Sequence, residues 1–235
     1  MLLIFLLLIS LTFGVEGYLI TEINGSIGSF NLKKEIKRKV YLTKDALITE
    51  TDGEFMVQKV ENGKPKIYRV IKSTKSYMDF SKMAPLFLVS LPFIDCEKRI
   101  CRLNENAFIP TDEYKKIGKY RARKVIVKAS FMGEKQEIVQ WYTREWKELT
   151  EANALENEFY INFIKALMKE MNLTEKNIPL KEVKSFLDNI LEKFGGVIRT
   201  EQRKVFLTYS QVISVRKVNI PDYIYRLPEG YKRIR

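Results

Sequence analysis

Two amphipathic helical stripes stand between strand-forming text on both sides, and this arrangement restricts the chain more than any other feature. In ENEFYINFIKALMKEM the apolar residues Phe159, Tyr160, Phe163, Ile164, Leu167, Met168 and Met171 recur in pairs every fourth residue. The next segment opens with Pro179 and ends at Gly195-Gly196, with Leu180, Val183, Phe186, Leu187, Ile190, Leu191 and Phe194 on one face. A helix with a single apolar stripe buries only that side, so each needs a broad apolar partner.

The rest of the chain offers that partner. From Tyr18 to about Phe80 the runs YLITEI, KRKVYL, DALITE, FMVQKV and KIYRVI are separated by the turn signals Asn24-Gly25, Asp52-Gly53 and Asn62-Gly63. A second strand region, YRARKVIVKASF and KQEIVQWYT, is joined at Met132-Gly133-Glu134, and VFLTYSQVISVRKV alternates after the helices. Hairpins without a βαβ rhythm predict an antiparallel α+β fold, with the helical segment at about 150–194 laid on one face of the sheet. A sheet curved around its helices leaves an apolar space between the layers. No repeat or Gly/Ser linker divides the chain, so residues 18–235 are expected to form one domain.

The first seventeen residues, MLLIFLLLISLTFGVEG, read as a secretory signal peptide. The apolar run from Leu2 to Leu11 is short of the ~20 residues that span a bilayer. Val15 and Gly17 supply small residues at −3 and −1, which places the expected cut after Gly17 and the mature protein in the periplasm. About 220 residues then remain, enough to bury roughly 70% of the unfolded surface.

Export changes the meaning of the composition. The chain carries 41 Lys plus Arg against 29 Asp plus Glu, a balance that in a cytosolic protein would suggest nucleic acid. Export puts nucleic acid out of reach, so the positive charge points to anionic envelope surfaces and peripheral membrane contact. The charges are also interspersed, as in TREWKELTE and TEKNIPLKEVK, the pattern of solvated helix faces. The bias toward Lys, Glu and Ile resembles that of heat-adapted bacteria. The two cysteines, Cys96 and Cys101, are expected to form a disulfide in an oxidising compartment. With no histidine and no further cysteine the chain suggests no metal site, and no cofactor motif is present. A histidine-free chain without G-x-S-x-G also offers no catalytic residues, so a non-enzyme is expected.

The order of an exported leader, KVYLTKDALITETDGEFMVQK, KSYMDFSKM, KKIGKYRARKVIV, QWYTRE and the closing IPDYIYRLPEGYKRI resembles the LolA-like periplasmic proteins. The resemblance covers most of the mature chain through short motifs. It implies a half-open antiparallel barrel with helices over its concave face, and the holding of a lipid, acyl chain or other apolar ligand. Lys39, Tyr41, Leu42 and Ile48 match the pattern of the family's second and third strands. Trp141-Tyr142 falls where the family often has a Trp on a strand facing the helices. The helical segment from about Thr150 to Phe194 is longer than the resemblance implies.

The connector MAPLFLVSLPFI is a buried link or a lid, which makes Met83, Phe87 and Phe93 candidates for the cavity, with Trp141, Phe159 and Phe163. Lys119, Arg121 and Arg123 are candidates for a basic rim. The expected function is an exported soluble carrier of a lipid or other apolar ligand. The alternative is an envelope interaction module with a filled barrel and a protein partner.

Overall fold

The computed structural model describes residues 14–27, 33–86, 91, 93–97, 100–131, 134–203 and 207–234. Six strands open the chain, β1 (Gly14–Ile27), β2 (Lys33–Leu42), β3 (Ala46–Thr51), β4 (Glu54–Glu61), β5 (Lys64–Ile71) and β6 (Ser76–Asp79), each antiparallel to the one before it. The β4–β5 turn is the expected Asn62-Gly63 pair, with φ of 51° and 70°, the left-handed conformations that a two-residue hairpin demands. Asn24-Gly25, in contrast, is no turn. It lies inside β1, where a Cβ on Gly25 would come within 2.4 Å of the Tyr209 ring. The glycine there serves a long-range contact.

A separate hairpin follows, β7 (Ile94–Glu97) and β8 (Ile100–Leu103), in which Cys96 and Cys101 are cross-strand partners joined by a disulfide with Cα atoms 4.0 Å apart. Next come β9 (Phe108–Ile117), β10 (Tyr120–Phe131) and β11 (Glu134–Thr143), antiparallel in sequence. The predicted helical pair is α1 (Lys147–Glu170) and α2 (Leu180–Phe194). Pro179 precedes α2 as expected, and Gly195 ends it at φ 80°, with Thr143 O too close for any Cβ. Then follow β12 (Gly196–Arg203), β13 (Leu207–Pro221) and, at the C-terminus, β14 (Lys232–Ile234).

The order across the main sheet is β14-β6-β5-β4-β3-β2-β1-β13-β12-β11-β10-β9. All pairs are antiparallel except β14 with β6. β13 returns to lie beside β1 and so joins the two hairpin regions into one layer. The fold is thus α+β, with a large antiparallel sheet and a helical pair. The sheet does not close, because β14 and β9 remain at its edges. No helix among the described residues is long and apolar enough to cross a membrane.

Alternation along the strands gives the sheet two differently covered sides. On one, Tyr18, Ile20, Val40 and Leu42 share a core with Phe159, Phe163, Ile164 and Leu167 of α1 and Val183 and Leu187 of α2. On the other, Ile48, Val57, Tyr68 and Val70 are buried beneath Ile224, Tyr225, Leu227 and Tyr231 of the C-terminal tail. β1 begins at Gly14, before the expected cut, and Gly14, Val15, Glu16 and Gly17 pair with residues 221 to 218 of β13. Glu16 also forms an ion pair with Lys217.

Candidate functional site

Side chains on one face of a helix recur about once per turn of 3.6 residues, whereas the sheet beneath presents a continuous twisted surface. Between them lies a cavity of about 570 Å³. Its apolar wall includes Ile20, Val40, Leu42 and Leu47 from β1–β3, Leu149 from α1, and Leu187, Ile190 and Leu191 from α2. Leu91 and Phe93, which lie between β6 and β7, also line it. Both are buried.

The remaining wall is polar, which the sequence reading did not anticipate. Glu22 and Arg38 are direct cross-strand neighbours on β1 and β2. They form an ion pair, with Arg38 Nε donating to Glu22 Oε2 at 2.9 Å. Ser210 Oγ of β13 donates to the same oxygen at 3.1 Å. An extra residue on β13, the exposed Ile213, breaks the β1–β13 register between Thr21 and Glu22. Val212 and Ser210 thereby come to line the cavity beside Glu22.

From α1 comes Glu156. Tyr160, one turn later, donates its hydroxyl to Glu156 Oε1 at 2.9 Å, and Asn153 Nδ2 donates to Oε2 at 3.1 Å. Asn153 is itself oriented by β12, since its Oδ1 accepts the backbone N–H of Val197 at 2.7 Å. Burial, reinforced by the Glu22 carboxylate, pushes the Glu156 carboxyl above its ordinary value, while Tyr160, Asn153 and Arg38 oppose the shift. Burial and then Glu156 raise Tyr160 and Tyr142 in turn. Tyr142 donates to Gln140 Oε1 at 2.7 Å, and both residues line the cavity.

The anticipated residues fall in several places. Phe93 lines the cavity, its ring 6.4 Å from Phe186. Trp141 does not; Gln140 and Tyr142 on either side of it do, because adjacent strand residues face opposite ways. The Trp141 ring is instead covered by Lys115 Nζ at 3.8 Å, and Lys115 bridges to Glu201 at 2.7 Å. Phe159 and Phe163 are fully buried core, 5.6 Å apart. Met83 is 52% exposed on a single 3₁₀ turn, and Phe87 lies outside the described residues. None of Lys119, Arg121 and Arg123 lines the cavity. Lys119 sits beside the Gly118 turn, Arg121 covers the Tyr114 ring at 4.4 Å, and Arg123 pairs with Asp112 at 3.2 Å. A signal for Glu156 was present: it interrupts the stripe Leu149, Ala152, Phe159, Phe163 at a helical position where a carboxylate has no reason to be.

A second concavity, about 680 Å³, runs between the start of β1 and the two helices. Charged residues rim it, among them Glu16, Glu151, Asp188 and Lys217. Tyr18 there donates to Glu151 at 2.8 Å, and burial together with that carboxylate pushes its phenol up to about 12. Among the described residues no group of three His, Cys, Asp or Glu side chains is placed to hold a metal ion.

An uncharacterised protein of Aquifex aeolicus is 66% identical over 234 residues, which make up 99% of this chain and 87% of the relative. The chain belongs to the family of that protein. No family model matches the sequence. Among solved structures, a LolA superfamily protein from Nitrosomonas europaea is similar with a TM-score of 0.34 and 6% identity, over 90% of each chain. PNGF-II is similar with a TM-score of 0.40 and 13% identity over 93% of this chain, which spans only 30% of that protein's length.

Proposed function

We propose that this protein is an exported carrier that holds a lipid or acyl chain in the cavity between sheet and helices. The supporting observation is the cavity itself: about 570 Å³ with a long apolar wall, within the ~300–1,000 Å³ range of small-molecule sites. Each CH₂ moved from water into such a wall contributes about 0.8 kcal/mol, so an acyl chain binds without any polar contact along its length. In this reading the sheet behaves as one half of an open barrel. Leu91 and Phe93, from the connector after β6, add apolar surface to the cavity lining. The leader is removed, and the protein works in the periplasm, where the Cys96–Cys101 bridge persists. Its task is transport, not catalysis.

Native mass spectrometry of the protein purified from its envelope, with lipid extraction and uptake of a neutral fluorescent acyl probe, tests the proposal. A co-purifying amphiphile and saturable uptake are expected. Protein that is ligand-free and takes up no probe overturns it.

A further inference from the structure

The polar wall of the cavity has a charge balance of its own. Glu22 and Arg38 neutralise each other. Arg199, also on the lining, is held by Glu201 at 2.7 Å. The Arg38 charge that reaches Glu156 is already paired with Glu22, and the two Glu156 oxygens accept hydrogen bonds from the neutral donors Tyr160 and Asn153. A carboxyl enclosed in protein is costly as a bare anion, and it either keeps a proton or acquires a positive partner. Part of its surface faces the empty volume, so that partner has room to enter from the cavity.

We infer that the cavity selects an amphiphile with a primary ammonium headgroup, which docks on Glu156 while its apolar chain lies along Ile20, Leu42, Leu47, Leu187 and Phe93. This rests on the carrier reading above and adds the class of ligand. The groups that face Glu156 are consistent with it. Glu22 of β1 adds negative potential, Arg38 of β2 offsets it, Tyr160 of α1 and Tyr142 of β11 stay neutral, and α2 contributes Leu187, Ile190 and Leu191. A phosphate or carboxylate head in the same position would meet two carboxyls and is disfavoured.

Dodecylammonium, dodecanol and dodecanoate share one chain and differ in the head, so calorimetric titration of the full mature protein with each separates head from tail. At about pH 8 dodecylammonium is expected to bind at least about tenfold more tightly than dodecanol, with dodecanoate weakest. The overall formal charge of +12 favours the opposite order, so preference for the amine cannot come from the surface field. The amine pairs with the charged form of Glu156, so its advantage shrinks as pH falls and the carboxyl takes up a proton. Glu156→Gln abolishes the advantage and its pH dependence while leaving dodecanol binding in place. Should that variant fail to fold, the loss of the amine's advantage at low pH in the wild-type protein decides alone. Equal affinity for amine and alcohol at every pH, or preference for dodecanoate, overturns the headgroup assignment and leaves the carrier reading standing. If none of the three binds, both fall.

Discussion

Leu47 and Ile48 are neighbours on β3, yet they live in different interiors. Leu47 points to the helices and borders the cavity, whereas Ile48 points to the other side of the sheet and is fully buried beneath the C-terminal tail. The tail has no regular structure over most of its length, so Ile224, Tyr225, Leu227 and Tyr231 settle individually onto the relief of β3–β6. A helix has no such freedom. Its side chains leave a rigid rod at set intervals, and two rods over a broad sheet touch it along their stripes and bridge the space between. The cavity follows from what covers the sheet, since a tail fills and helices span.

The sharpest way to break this comparison is to make the same change on both sides. Ile48→Ala leaves a void in packed surroundings and is expected to cost about 2–5 kcal/mol in urea unfolding. Leu47→Ala removes methyl groups that already border empty volume and is expected to cost only about 1 kcal/mol. Enlargement should show the opposite asymmetry. Leu47→Phe is accommodated by the cavity and lowers uptake of an acyl probe, while Ile48→Phe displaces the tail at about 1–3 kcal/mol. Equal costs on the two sides would mean that the cavity collapses in solution.

Breaking the Cys96–Cys101 bridge should affect the helical side alone. The hairpin that it closes continues directly from Phe93 and Ile94 and is tied to the loop before α2 by the Cys101 N–H, which donates to Asn177 O at 2.6 Å. Replacing both cysteines by alanine is expected to cost about 2 kcal/mol, the entropy of so short a loop. Hydrogen exchange should quicken over residues 91–103 and stay unchanged in β4–β6. Faster exchange under the tail would show that the two interiors unfold as one.

The two sides also answer pH in opposite senses. Glu156, on the helical side, has its carboxyl raised above 4.5 in the folded protein, mainly by burial. Its contribution is therefore fully present below 4.5 and is lost as pH rises through the elevated value. On the tail side burial would also raise Glu50, but Tyr41, Lys72 and Lys39 outweigh it and hold the carboxyl low. That contribution is present above 4.5 and is lost as pH falls through the depressed value. Glu156→Gln is expected to remove the decline in stability on the alkaline side of 4.5 and leave the acid limb intact. A decline that persists in the variant would assign it to another group.

What could be read from the sequence follows the range of each interaction. The helices were legible because their stripes, Pro179 and Gly195 are local signals, and the hairpin at Asn62-Gly63 was legible for the same reason. Asn24-Gly25 misled because its glycine answers to Tyr209, far along the chain. Whether Trp141 or its neighbours meet the cavity turns on one residue of strand phase, and the β11–β12 pairing shifts register between Trp141 and Tyr142, which spacing does not reveal. The polar wall could not be read at all from spacing. It needs β1 beside β2 to set Glu22 against Arg38, and β13 beside β1 to bring Ser210. The closing segment was conspicuous as a motif, but its packing on β3–β6 was not legible, because residues that pack one by one leave no period.

The smallest expected effect tests whether the tail is held by its charges or by its apolar side chains. Asp79 on β6 meets Arg233 of β14 at 3.3 Å, and it also accepts the backbone N–H of Ser81 at 2.9 Å. Burial works against its charge, but Ser81 first and Arg233 second hold the carboxyl below 3.8. The Arg233 side chain is 60% exposed, so solvent screens the pair, and Asp79→Asn is expected to cost no more than about 0.5 kcal/mol. Leu227→Ala, which removes a tail side chain from the apolar cluster, should cost more than that. If Asp79→Asn is instead the larger of the two, the tail is an electrostatic latch, and its fit to Ile48 and Tyr68 is a consequence of being held there.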